Sequence, residues 1–260
     1  TRQSKRWACG DFDRGEVRRY LAVEIGVFWG LIAVCWMLFP RANQYSIMTH
    51  TFSFLGSWQD KHNPDWWWLF SVAMVFWGVA TIPLVLYWRR RMTAVSPGGA
   101  WVGAVLFLVG CVGGILVGFV PDAPTPLIGS WRWTEVHEKA AVSILIGFGL
   151  GVPWYGVLLI ADRLQRGASS AFNHQLFLAP YVVWGTVFSL AVYFQVKWEF
   201  VYAARRAAAE TAGRHIGSSW SEAMNTVYSF PLWENLLIYT LSVFILLFTL
   251  AISSGTEERG

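Results

Sequence analysis

Apolar and polar positions fall in long blocks along this chain rather than at helix-face or strand spacing. Six apolar runs stand out, at 20 to 39, 67 to 88, 101 to 120, 137 to 160, 176 to 198 and 231 to 251. A helix needs about 20 mostly apolar residues to cross a hydrocarbon core. No stretch shows the period-two alternation of a membrane barrel, and open strands cannot sit in lipid. The pattern predicts an all-α polytopic membrane protein with six transmembrane helices. Residues 1–19 form the N-terminal segment, 20–251 the membrane domain with a long connection at about 199–230, and 252–260 a tail.

Local signals sharpen the outline. Asp13 followed by Glu16 has capping-box spacing and predicts a helix start. Glycine recurs in "VGCVGGILVG", where it permits close helix contact. Pro83 and Pro153 inside spans are kinks that neighbouring helices tolerate. Trp66, Trp67 and Trp68 open the second span as expected headgroup-level anchors. The stretch "AARRAAAETAGRHIG" in the long connection is expected to lie as a helix on the membrane surface.

Composition agrees with the membrane assignment. Only 14% of residues are charged and 55% are hydrophobic, against about 25% charged in an ordinary soluble domain. Seventeen tryptophans point the same way. The basic residues sit in short clusters beside apolar runs, such as Arg89, Arg90 and Arg91. They read as topology signals, and no nucleic acid is expected as a partner. With six spans, both termini share a side that also holds Arg14, Arg18, Arg19, Arg163 and Arg166. The larger basic share on that side predicts cytoplasmic termini in a multi-pass protein of the cell membrane. Three cysteines make no disulfide framework and read as structural. The first apolar run, preceded by a polar and basic segment, is expected to be an uncleaved membrane helix. Glu24, inside that run, is expected to snorkel or to pair with Arg18 or Arg19.

The polar chemistry gathers on the side opposite the termini. "MTHTFSF" places His50 and Ser53 at i and i+3. Asp122 closes the third span, His137 opens the fourth, and Glu234 enters the last. Ionisable groups at that depth are costly unless paired or facing a cavity. Imidazoles with carboxylates can bind a divalent metal such as zinc and leave a position for water. The candidate ligands are His50, Asp122 and His137, and the candidate catalytic residues Ser53, His137 and Glu234. The same groups could instead hydrogen-bond a lipid headgroup. Haem ligation by two histidines is a further alternative, without a C-x-x-C-H attachment sequence. H-E-x-x-H, P-loop, dinucleotide-binding and G-x-S-x-G patterns are absent.

The segments "YSIMTHTFSFLGS", "NPDWWWLF", "GILVGFVPDAP" and "EVHEKAA" resemble the DUF998 family of six-helix membrane proteins and, more distantly, the Frag1/DRAM/Sfk1 group. The matching positions are Tyr45, Ser46, Ser53, Leu55, Gly56, Asn63, Pro64, Gly118, Pro121, Asp122 and His137, with "PLWENL" a looser match at Glu234. The resemblance covers about 40 to 250. Its distant branch implies lipid or lipid-anchor remodelling. An analogy to intramembrane metal hydrolases fails at one point, because the chain has no late H-x-x-x-H pair.

Two functions follow as expectations. One is a lipid-handling protein with an outward His, Ser and carboxylate pocket, extending to a metal-dependent lipid hydrolase or remodelling enzyme. The other is a noncatalytic subunit that contacts partner membrane subunits, lipids or a cofactor. A transporter fits less well, because few ionisable residues lie near mid-span.

Overall fold

The computed structural model describes residues 2–254 except 61, 124, 130 and 171 and, within 198–225, all but 200, 204, 207, 208 and 211–213. Lys61, the Arg205, Arg206 and Arg214 cluster, Glu199, Glu210, His215, Glu222, most of the Ala-rich stretch and the tail beyond 254 lie outside the described residues.

The apolar blocks fold as expected. A short helix, α1 (Arg2–Ala8), precedes six long ones: α2 (Arg14–Met37), α3 (Trp67–Met92), α4 (Pro97–Phe119), α5 (Trp133–Arg166), α6 (His174–Val196) and α7 (Phe230–Ser253). Each of the six is long and apolar enough to cross a bilayer. The chain is an all-α polytopic membrane protein. A two-strand hairpin, β1 (Pro126–Ile128) and β2 (Trp131–Arg132), leads into α5.

Helix ends follow local chemistry more than hydropathy. α2 starts at Arg14, six residues before its apolar run, because Asp13 caps it. The Asp13 carboxylate accepts from the Glu16 N–H at 2.7 Å, and Glu16 accepts from the Asp13 N–H at 2.9 Å. α3 continues through Arg89, Arg90 and Arg91, cations that suit the negative end of the helix dipole. α5 begins at Trp133, ahead of the expected 137, where Glu135 accepts from the Arg132 N–H at 3.2 Å. The N-terminal segment is itself folded: α1 and the turn at Gly10 pack on α3, with Trp7, Phe12, Tyr20 and Tyr87 in ring contact.

α2 packs on α3, α3 on α4, and α4 on α5, while α6 pairs with α7. Glycines let α4 approach both neighbours. A Cβ at Gly147 would stand 2.3 Å from the Gly110 backbone N. A Cβ at Gly118 would stand 2.7 Å from the Ser71 carbonyl oxygen. The core is a run of aromatic rings from Trp77 through Phe148 and Phe107 to Tyr155, Trp88 and Phe248. α7 is tied to α3 by Trp88 Nε1 donating to Thr249 Oγ1 at 2.9 Å and Arg91 Nε donating to the Ile252 carbonyl at 2.9 Å.

Candidate functional site

The connection from 38 to 66 does not hang free at the bundle end away from the termini. It folds inward and is pinned from several sides. Asn63 is fully buried and donates to the Leu55 carbonyl at 2.7 Å and to Cys35 Sγ at 3.2 Å. Ser57 donates to the Asp122 carbonyl at 2.9 Å. That carbonyl can only accept, so the hydroxyl's single hydrogen is taken. The 2.8 Å contact between His62 Nδ1 and Ser57 Oγ then requires the ring N–H to donate. His62 also stacks on Phe54 with centroids 3.8 Å apart. Asn235 of α7 donates to the His50 carbonyl at 3.0 Å and the Pro231 carbonyl at 2.8 Å, and accepts from Tyr45 Oη at 2.7 Å. Ser229 donates to the Met48 carbonyl. Gly56 lies directly against the Phe70 ring, where a Cβ would clash.

The five expected site residues share this end but play unequal parts. His50 is enclosed by Phe39, Tyr45 and Phe54, with ring centroids 5.6 to 5.8 Å away. Its Nδ1 accepts from the Ser46 N–H at 3.3 Å and meets Thr49 Oγ1 at 2.8 Å. Ser53 exchanges a hydrogen bond with Thr51 at 3.0 Å. Glu234, at the start of α7, lies near enough to Asp122 and the Phe52 backbone to feel both electrostatically. His137 is buried, with Nδ1 2.6 Å from the Val120 carbonyl. Nδ1 therefore carries the hydrogen. Nε2 is buried with no hydrogen-bond partner among the described residues.

The expected metal set is not brought together in this structure. Among the described residues, no three His, Cys, Asp or Glu side chains are grouped as a metal would require. The two histidines are held on separate partners: Nδ1 of His50 by its own turn, and Nδ1 of His137 by the Val120 carbonyl. Glu24 also departs from expectation. It neither snorkels nor meets Arg18 or Arg19; it is 2% exposed and bonded to Thr81 on α3. Of the tryptophan triplet, Trp66 and Trp68 are exposed, and Trp67 packs on Trp58.

Burial holds the His50 imidazole below its ordinary value, which is about 6.5. The sign follows. In acid the unfolded chain takes up this proton before the folded one, so stability falls as pH drops through the ordinary imidazole range. Lowering the pH from about 7 to about 5 should reduce the thermal midpoint of the purified protein. His50→Asn should flatten that dependence; an unchanged slope in the variant would assign the effect elsewhere.

A second polar knot, near the termini, escaped the sequence analysis. Asp162 is fully buried in the last turns of α5; its Oδ2 receives Ser170 Oγ and meets His174 Nε2 at 3.2 Å, and its Oδ1 lies 3.4 Å from Arg166 Nε as an ion pair. Arg166 also donates to the Ala94 carbonyl at 2.6 Å. Ser170 and Asp162 meet the same ring nitrogen of His174. A nucleophile relay uses the two opposite nitrogens, so the knot anchors the α5–α6 connection. The i, i+4 spacing of Asp162 and Arg166, followed by Ser170 and His174, is the signal that could have revealed it.

A groove opens sideways between α4 and α5, with a volume of about 310 Å³. Val105, Val109, Val112 and Leu116 of α4 line it, with Gly113 beneath and Ser143 of α5 opposite. The four aliphatic side chains are about half exposed on the wall of the bundle. One turn above Ser143, toward the β1–β2 hairpin, Lys139 lies on the same face of α5, and Ser143 Oγ donates to its carbonyl at 3.0 Å. The Lys139 ammonium sits 3.5 Å from the centroid of the exposed Trp131 ring. No family model, curated protein or solved structure matches the chain, so the family resemblance rests on its short motifs alone.

Proposed function

We propose that this multi-pass membrane protein handles lipid by taking an anionic phospholipid sideways from the bilayer. One acyl chain lies in the α4–α5 groove, and the phosphate meets Lys139. The observation that carries this reading is the groove itself: an apolar trough on the membrane wall, capped one turn higher by a cation over a tryptophan. Its volume lies at the lower end of ligand sites, about 300–1,000 Å³. Trp and Lys at one level suit a headgroup boundary, where amphipathic rings and snorkelling cations settle. With the termini in the cytoplasm, the site belongs to the opposite leaflet.

The test is lipid retention. Protein purified in mild detergent should carry phosphatidylglycerol in preference to phosphatidylcholine by native mass spectrometry. A basic residue near the surface contributes about 1 kcal/mol toward anionic lipid, which is about fivefold. Lys139→Gln should lose about that factor, and Val109→Trp, which fills the trough, should abolish retention. Equal retention by both variants would end the proposal.

A subunit role has its own support. α6 is the least buried of the six spans. Leu178, Val182 and Val183 are exposed along it with Thr186 and Ser189, and nothing stands near a Cβ at Gly185. Small and hydroxyl-bearing residues favour helix association in membranes. A heteromeric mass in the same native spectra, lost in Gly185→Leu, would select this role.

A further inference from the structure

Glu24 stands near the middle of α2, with its carboxyl turned into the bundle against α3. An ionisable group at that depth marks a functional position by default. Neither the lipid groove nor the pinned connection uses it.

Its protonation state follows from counting hydrogens. Glu24 Oε1 lies 3.0 Å from Thr81 Oγ1. Thr81 Oγ1 also lies 2.7 Å from the Trp77 carbonyl oxygen, one turn back on α3. A threonine hydroxyl carries one hydrogen, and a carbonyl can only accept. Two acceptor oxygens 2.7 Å apart with no hydrogen between them would repel, so the hydroxyl donates to Trp77, the usual back-bond of a helical threonine. Thr81 is left with lone pairs toward Glu24. The contact is a hydrogen bond only if Oε1 carries the hydrogen.

The surroundings agree. Glu24 Oε2 is buried and has no hydrogen-bond partner among the described residues. An ionised carboxylate has about four acceptor sites and would leave them almost wholly unmet. The titratable groups that face it are Tyr20 on its own helix and Cys111 on α4. Tyr20 Oη is already donating to the Ala80 carbonyl at 2.9 Å. α7 has no ionisable residue between Tyr239 and its C-terminal end, and no ion pair among the described residues includes Glu24.

We infer that Glu24 is a proton-binding site inside the membrane domain, toward the end that carries the termini: a neutral carboxylic acid that donates to Thr81 and keeps its second oxygen free. Its ligand is the proton itself. Release of that proton leaves an unpaired charge between α2 and α3, so proton occupancy is coupled to the contact between those helices. α2 is buried over a smaller share of its span than α3, α4, α5 or α7. It is therefore the wall whose displacement would admit water to the free oxygen.

Infrared difference spectroscopy on the purified full chain tests this. At pH about 7 the native protein should show the carbonyl stretch of an unhydrated carboxylic acid, shifting on exchange into heavy water. The band should vanish in Glu24→Gln and move to higher frequency in Thr81→Val, where the hydrogen-bond acceptor is gone. Absence of the band in the native protein, or its persistence at full strength in Glu24→Gln, overturns the assignment. An unmoved band in Thr81→Val likewise refutes the bond that assigns the proton. Loss of the band when sodium replaces potassium would overturn it in favour of a metal-cation site.

Discussion

Gly147→Val is expected to prevent the bundle from assembling, with little folded protein recovered from the membrane. The substitution brings a Cβ to 2.3 Å from the Gly110 N, 2.6 Å from the Gly110 Cα and 2.7 Å from the Leu106 carbonyl oxygen. All three atoms are backbone, so no side chain can rotate away. Relief requires α4 and α5 to separate over several turns, which would open Phe107 and Phe148 to lipid. Overpacking a core costs about 1–3 kcal/mol where side chains absorb it. Here two main chains must part, and the loss lies at or beyond the top of that range. Gly185→Val is the matched control, since nothing stands within 4 Å of its Cβ. It should change the stability of detergent-solubilised protein, read from its thermal midpoint, by no more than a typical surface substitution, about 0.5 kcal/mol. Equal behaviour of the two variants would show that the α4–α5 contact does not limit assembly.

The same contact shows why parts of this fold could be read from the sequence and others could not. Span number follows from run length alone, and the glycines of α4 announce close packing before any neighbour is known. Asp13 and Glu16 specify a helix start through bonds three residues apart. The direction of a side chain around a span is another matter. α2 is apolar on nearly every face, so no polar stripe marks which side meets α3. Sequence alone therefore leaves Glu24 at the membrane edge, whereas the fold turns it onto Thr81. At the bundle end, residue types pointed to chemistry while long-range bonds determined use. Tyr45 reaches Asn235, Ser57 reaches Asp122, and Asn63 reaches Cys35. No local spacing encodes those pairings. The motif positions Tyr45, Gly56 and Asn63 proved to be pins of the inward-folded connection. The Asp162 knot is the opposite case: its partners lie within twelve residues, but its basic members also carry the topology signal of that connection, which masks their role as anchors.

Asn235→Leu should be the most damaging single change among the pins. Asn235 is fully buried and serves three groups: Tyr45 Oη, the His50 carbonyl and the Pro231 carbonyl. Pro231 precedes it by one turn within α7 and keeps its helical geometry without the amide. Tyr45 and His50 have no such substitute. Each buried group left without a partner costs about 1–3 kcal/mol, so the variant should lose about 2–6 kcal/mol. The damage should be local first, with the connection from 38 to 66 released from α7 and newly open to protease while the spans remain. A double-mutant cycle separates the lost bond from lost shape. Tyr45→Phe removes the hydroxyl that Asn235 satisfies but keeps the ring against Trp36 and Phe39. The pair Tyr45→Phe with Asn235→Leu should therefore cost less than the sum of its members, by the 0.5–3 kcal/mol typical of directly bonded residues. Additive losses would mean that the two side chains stabilise the connection independently, and that α7 does not hold it through this bond.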